Sequence, residues 1–407
     1  MHKIERLLQT LAPKGVEFRK LGEVLEYDQP NQYCVTSKEF DKSYPTPVLT
    51  AGKTFILGYT NEKDNIYQAS KNAPVIIFDD FTTATQWVDF PFKVKSSAMK
   101  ILLPKNPTIN IRFIFFYMQT IPYNISGEHT RHWISRYSQL EVPIPPLEIQ
   151  QEIVKILDAF TELNTELKTE LNARKKQYEY YQNMLLDFND INQNHKDAKE
   201  KLAQKTYPKR LKTLLQTLAP KGVEFRKLGE VCDFQKGKSI TKKAVTFGKV
   251  PVISGGRQPA YYHNEANRSG ETIAISSSGV YAGYVSYWDI PVFLADSFSV
   301  SPKQKTLMPK YLFHYLTTQQ DAIHATKSTG GIPHVYSKDL QNFLIPIPPL
   351  EIQQEIVKIL DQFSILTTDL LAGIPAEIKA RKKQYEYYRE KLLTFKPLTP
   401  HKEVKKC

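Results

Sequence analysis

Apolar positions recur along this chain with two different periods. Ile153, Ile156, Phe160, Leu163 and Leu167 step by three and four, and so do Ile356, Ile359, Phe363, Leu366 and Leu370. That spacing predicts long helices over 147–186 and 350–395, each with the narrow apolar stripe of a coiled-coil seam. Both are preceded by Ile-Pro-Pro-Leu, whose prolines stop the segment before and open the helix. Two such stripes in one chain bury each other most simply as an antiparallel pair. Elsewhere the pattern shortens. VIIFDDFTTATQWVDFPFKVKSSAMKILL at 75–103 and TIAISSSGVYAGYVSYWDIPVFLADSFSV at 272–300 are β-branched and aromatic runs of strand length broken by short polar loops. IRFIFFYMQTI at 111–121 and PKYLFHYLTTQQDAI at 309–323 predict single helices beside them. Residues 187–213 are polar and charged, and predict a partly helical connector.

The chain also repeats itself. LLQTLAPKGVEFRKLGEV at 7–24 recurs at 214–231, PIPPLEIQQEIVKILD at 143–158 recurs at 346–361, and ARKKQYEYY at 173–181 recurs at 380–388. The bracketed stretches, 25–142 and 232–345, share almost no identity. The expected organisation is a first module at 1–146, a helical spacer at 147–186, the connector at 187–213, a second module at 214–349, a second spacer at 350–395 and a tail at 396–407. The fold class is α+β: two α+β domains separated by two long antiparallel coiled-coil helices in a pseudo-two-fold internal repeat. A constant frame around changing contents implies two surfaces of different specificity on one scaffold. Aligning the second proline block sets 126–146 on 329–349, which places Gly127 on Gly330 and Arg131 on His334.

Composition narrows the partner. The 407 residues, 41% hydrophobic, suffice for two or three cores. A formal net charge of +13 favours a polyanion, because each cation set against a phosphate releases condensed counterions. Nucleic acid ranks above an anionic membrane surface, since VIIF at 75–78 and FIFFYM at 113–118 are far too short to span a bilayer. MHKIERLLQT is amphipathic and charged, unlike a secretory signal. Cys34, Cys232 and Cys407 are odd in number and scattered, which fits a reducing cytoplasm.

Signs of catalysis are missing. Gly237, Lys238 and Ser239 would need a glycine five positions before Gly237 to make a phosphate loop, and Cys232 stands there. The nine histidines do not cluster as metal ligands. Asp79 and Asp80 lack the pattern that would complete a nuclease site. They are expected to shape a turn or to accept from a cytosine amino group.

Basic and aromatic residues interleave instead. Lys236, Lys238, Lys242, Lys243 and Arg257 precede the small-residue loop Ser276 to Gly283, beside Tyr281, Tyr284, Tyr287 and Trp288. Such loops suit DNA: cations settle on phosphates while Ser, Tyr and small residues approach base edges. The candidate contacts are Thr82, Thr83, Thr85, Arg131, His132 and Arg136 in the first module. In the second they are Lys236, Lys238, Lys242, Lys243, Arg257, Ser277, Ser278, Tyr281, Tyr284, Lys327 and His334. The plainer alternative makes the aromatics core positions of strands and the lysines solvated surface. Tyr178, Tyr181, Tyr385 and Tyr388 of the ARKKQYEYY blocks fall at helical spacing and are expected to pack.

In this order, twice over, the blocks resemble the specificity subunit of type I restriction-modification enzymes over nearly the whole chain. The resemblance implies two target-recognition domains and a non-catalytic protein of the bacterial or archaeal cytoplasm that selects a bipartite double-stranded DNA target. It implies two adenine-methyltransferase subunits and restriction subunits as partners. S-adenosylmethionine, ATP and Mg²⁺ would be bound by those partners and no cofactor by this chain. Two features depart from an even repeat. Asp158 to Ala173 is 15 positions while Asp361 to Ala380 is 19, and Gly373 and Pro375 interrupt the second spacer. Other readings are a stand-alone coiled-coil DNA-binding regulator, a specificity subunit of a related type II-like system, and an enzyme with an unrecognised site.

The first spacer carries a tetrapeptide run, TELN-TELK-TELN, from Thr161 to Asn172. Four residues advance a helix by roughly 6 Å and turn it roughly 40° past a full turn. One base pair advances B-DNA by about 3.4 Å and turns it about 35°. Deleting Thr165 to Lys168 should therefore leave an assembling protein whose two half-sites lie one base pair closer. Methylation mapping checks this, and an unchanged spacer at full activity would show that the run does not set the distance.

Overall fold

The computed structural model describes residues 2–50, 54–122, 131–194, 196–328, 331–368 and 373–398. They form two units: Met1–Leu167 with Ile378–Cys407, and Lys168–Glu377. Both are α+β, so the fold class reads as expected, but the units do not coincide with the sequence segments. The cause is that each helical spacer packs partly against one module and partly against the other.

In the first unit a four-stranded antiparallel sheet is ordered Leu25–Asp28, Met99–Pro104, Val75–Asp79, Thr85–Val88. A three-stranded sheet, ordered Ile56–Thr60, Thr46–Leu49, Lys93–Val94, lies on it. The run VIIF is apolar at every position because successive side chains enter different cores. Ile76 and Phe78 join the helix Ile111–Met118 and Ile149, Ile153 and Leu157, whereas Val75 and Ile77 join Leu49, Phe92 and Val94. Burying each such side chain contributes about 1.5–3 kcal/mol.

The second unit repeats this topology with almost none of the sequence. Its four-stranded sheet is ordered Cys232–Lys236, Ser297–Pro302, Thr272–Ser276, Val285–Trp288, and its three-stranded sheet Tyr261–His263, Phe247–Ile253, Phe293–Leu294. Ile273 and Ile275 face the helix Pro309–Thr318 and the spacers, while Ala274 faces Ile253, Val292 and Leu294.

The repeated blocks make the same contacts in both units. Glu17–Lys20 pairs antiparallel with Glu141–Ile144, and Phe225–Lys227 with Leu344–Pro346, so each module is clasped where the chain enters and leaves it. Gly15 and Gly222 have φ of +112° and +99°, and a Cβ there would stand 2.6 Å from the Pro397 carbonyl oxygen and 2.4 Å from that of Ile191. Only glycine tolerates both conditions. Beside them Val16 donates to Lys396 O, and Val223 to Ile191 O.

The first spacer is a single helix, Leu147–Leu186. The second is two, Leu350–Thr368 and Ile374–Leu393, the latter restarting after Gly373 with Pro375 in its first turn, where a missing N–H costs nothing. Within each unit the spacers run antiparallel. Phe160 stacks on Tyr388 at 5.5 Å in the first, and Tyr181 on Phe363 at 5.0 Å in the second. Tyr178, Tyr181, Tyr385 and Tyr388 are thus packing residues, whereas Tyr180 and Tyr387 of the same blocks are exposed. Leu366 is exposed at its end of the seam and Leu370 lies outside the described residues.

The connector is partly helical, and it also contributes to a core. Phe188, Ile191, Leu202, Tyr207 and Leu211 are buried in the second unit's core, around a short helix Ala198–Gln204 and the start of the helix Lys209–Leu218. Its low apolar content concealed that nearly every apolar residue it has is used.

One buried side chain ties module to spacer. Gln150 accepts from Asn110 N–H at 2.8 Å and donates to Thr108 O at 3.1 Å and Pro145 O at 2.7 Å. Gln353 does the same with Met308 N–H, Thr306 O and Pro348 O. Next along the helix, Asp158 receives Arg112 at 2.8 Å, and Asp361 receives Lys310 at 2.7 Å and His314 at 3.2 Å. Burial pushes the Asp361 carboxyl upward, but these two donors carry it below its ordinary value. Gln150→Ala would strand three buried polar groups. We expect a loss of at least about 1–3 kcal/mol, read as a lower urea midpoint. The exposed neighbour Gln151→Ala should stay within about 0.5 kcal/mol of the unaltered chain.

Candidate nucleic-acid interface

The hairpin joining the last two strands of the first module's larger sheet is held by two adjacent aspartates. Asp79 Oδ1 accepts from the N–H of Phe81 at 2.9 Å and of Thr82 at 3.2 Å, Asp79 Oδ2 takes the Thr82 hydroxyl, and Asp79 O accepts from Thr83 N–H at 2.9 Å. Thr83 is driven to φ +58°, a costly conformation for a β-branched residue that persists only because this turn over-determines it. Asp80 fixes a second segment. Its carbonyl oxygen accepts from His132 N–H at 2.9 Å, and its Oδ1 accepts from Trp133 N–H at 2.8 Å. Lys100, 2% exposed, lies 3.8 Å from Asp80, donates to Gln29 and sits 4.4 Å from the Tyr27 ring. Burial draws the Lys100 ammonium below its ordinary value, and the Asp80 carboxylate opposes this. Arg131, exposed, is presented at the start of the short helix His132–Ser135.

The second module builds the same clasp from other residues. Val335 N–H donates to Ser277 O at 2.9 Å and Gly279 N–H to Pro333 O at 3.0 Å, so the segment carrying His334 pairs with the Ser277–Gly279 loop. The Ser278 hydroxyl binds Asp296. Arg257 lies 5.0 Å from the Tyr281 ring and 5.6 Å from that of Tyr284. Lys327 reaches Val280 O at 3.4 Å, and the His334 ring stacks on Tyr336 at 5.9 Å.

Seven candidates, Arg257, Ser277, Ser278, Tyr281, Tyr284, Lys327 and His334, therefore gather at one loop cluster. Lys236 and Lys238 are exposed where the first strand of the sheet ends, with Lys238 N–H bonded to Leu294 O. Lys242 and Lys243 form a separate exposed 3₁₀ turn. In the first module Thr82 and Thr85 line an open cleft with Gln119, Tyr137 and Arg389, and Arg136 is exposed. Two candidates are less accessible than the rest: His132 is 3% exposed and Thr83 8%, although Thr83 borders the same cleft as Thr82 and Thr85. Tyr287 and Trp288 are packed strand residues, as the plainer alternative held. The sequence alignment of Arg131 on His334 is reproduced by equivalent clasps, since His132 N–H meets Asp80 O where Val335 N–H meets Ser277 O. Gly127 and Gly330 lie outside the described residues. Sequence reasoning missed Lys100 and Gln29, whose only signal was polarity within a strand and before a turn, and Tyr336, exposed beside His334.

The model of the type I restriction modification DNA specificity domain matches residues 13–176 and again 220–380. The chain belongs to the type I restriction-modification specificity subunits. It is 39% identical to the EcoR124I/EcoR124II specificity subunit of Escherichia coli over 98% of both chains. It is 33% identical to a putative type I specificity subunit of Haemophilus influenzae over 70% of this chain and 73% of that one. In structure it is similar to the type I restriction-modification S subunit from M. genitalium, with a TM-score of 0.63 over 93% of this chain and 96% of that one, at 18% identity. As a specificity subunit it presents two target-recognition modules of one topology with different residues at equivalent tips. No described helix is long and apolar enough to cross a membrane.

Asp80→Ala should free the Trp133 amide while leaving the Asp79 turn closed. Hydrogen exchange of residues 131–135 is expected to accelerate roughly 10- to 100-fold, the range for losing one hydrogen bond to a charged group. Unchanged protection would show that the clasp does not depend on Asp80.

Proposed function

We propose that each module reads one half of a bipartite DNA sequence, and that the chain itself catalyses nothing. On this reading it delivers the target to two adenine-methyltransferase subunits and to restriction subunits in a bacterial or archaeal cytoplasm. Those subunits bring S-adenosylmethionine, ATP and Mg²⁺. The observation that carries the reading is the clasped hairpin found at the same place in both sheets. One carries Thr82, Thr85 and Arg131, and the other carries Arg257, Ser277, Ser278, Tyr281, Tyr284 and His334. Residues that differ while their backbone supports stay the same are suited to different base sequences.

The net charge of +13 supports the polyanionic ligand, with phosphate contacts giving affinity and the loop tips giving selection. The reading also assigns a division of labour. The repeated frame serves equivalent methyltransferase subunits, and the unlike modules serve unlike half-sites.

Exchanging residues 25–142 for an unrelated module, in the complex with its methyltransferase subunits, should replace one half of the methylated motif and leave the other intact. Methylation mapping reads both halves at once. A change in both halves, or in neither, would refute independent reading.

A further inference from the structure

The variable stretch of the second module, 232–345, contains two arginines, Arg257 and Arg268. Arg268 is half-buried and spent on structure. Its Nε donates to the Ser299 hydroxyl at 2.9 Å, and its two terminal nitrogens donate to the carbonyl oxygens of Asn267, Gln235 and Lys236 at 2.7 to 3.1 Å. Arg257 is the opposite case. It is exposed, and among the described residues its guanidinium makes neither a hydrogen bond nor an ion pair, only the two ring contacts with Tyr281 and Tyr284.

Those rings restrict the guanidinium without consuming it. The guanidinium carbon lies over both rings, and such contacts leave its five N–H donors without an acceptor. The backbone beneath is equally confined: a Cβ at Gly255 would stand 2.6 Å from Ser278 O, so the chain leading to Arg257 is laid directly on the Ser277–Ser278 loop. Ser278 is itself held by Asp296. The result is a donor fork already oriented at the centre of the loop cluster, so little rotamer freedom remains to be lost on binding. In the major groove, guanine offers two acceptors, N7 and O6, on one edge at the spacing of that fork, whereas adenine and thymine offer one acceptor each.

We infer that Arg257 reads a guanine in the second half-site through its N7 and O6. This rests on the reading of the second module as a DNA-recognition surface, and adds the base and the atoms.

The test uses the full chain assembled with its methyltransferase subunits, presented with a pool of randomised duplexes. The unaltered protein should select a second half-site with a fixed G·C pair. Arg257→Ala should make that one position degenerate, lowering the preference for G·C over A·T by roughly 10- to 100-fold, while the first half-site and the remaining positions persist. Arg257→Lys keeps the charge but not the fork, so the same position should weaken, and this variant decides the matter should the alanine variant not assemble. The inference is overturned if both variants keep the motif unchanged. It is overturned equally if Arg257→Ala weakens all sequences alike with a salt slope smaller by about one, while Arg257→Lys retains full selectivity, the signature of a phosphate contact. Failure of the unaltered complex to select any bipartite sequence would instead refute the DNA-recognition reading, and this inference with it.

Discussion

A buried amide that must find a partner for every polar atom governs this molecule. At the junction of module and spacer, the chain turns out of a strand, through two prolines, into a helix whose first N–H groups lack intrahelical acceptors. Backbone groups from the module's own helix start, from the proline turn and from the loop before it all converge there. Gln150 and Gln353 satisfy them with one side chain each, through equivalent partners. An apolar residue would leave those groups unpaired, and a charged one would bring an unmatched charge into the core. The orientation of each sheet relative to its own spacer segments follows from this joint, and the loops at the far end of the sheet inherit it.

Much of the architecture was legible in the chain because the repeats acted as an internal control. Blocks that recur around dissimilar contents had to be frame, and the stripe of Ile153, Ile156 and Phe160 had to be helical. The apolar run Val75 to Phe78 announced a strand, and the structure covers it on both faces. Less legible was how the spacers divide between units. Periodicity identifies a seam but not which stretch of the partner helix meets it, and here Phe160 meets Tyr388 while Phe363 meets Tyr181. The connector misled for a related reason. Composition averages over a segment, whereas burial selects single residues such as Phe188 and Ile191.

The candidate site was legible by residue type and opaque in its supports. Basic and aromatic interleaving picked out Arg257, Tyr281 and Tyr284, and the fold brings the arginine to the two rings across more than twenty residues. The same reasoning did not separate the exposed Arg131 from the buried His132 and Thr83, because a short turn places side chains outward and inward and sequence does not say which. The aspartate pair shows the limit most clearly. Two acidic residues after a strand read as turn formers, and Asp79 is one. That Asp80 reaches across 53 positions to hold Trp133 is a tertiary fact with no local signature.

The socket at Asp158 and Asp361 bears on how such proteins acquire new preferences. The acceptor belongs to the repeated frame, but the donors that fill it belong to the variable module: a guanidinium from Arg112 in one case, the Lys310 ammonium with the His314 ring beside it in the other. The joint therefore specifies a charge and a reach, and is indifferent to the side chain that supplies them. Any module meeting that standard fits without alteration of the frame. A change of module then need not disturb the frame, provided the incoming chain sets a donor within reach of that carboxylate.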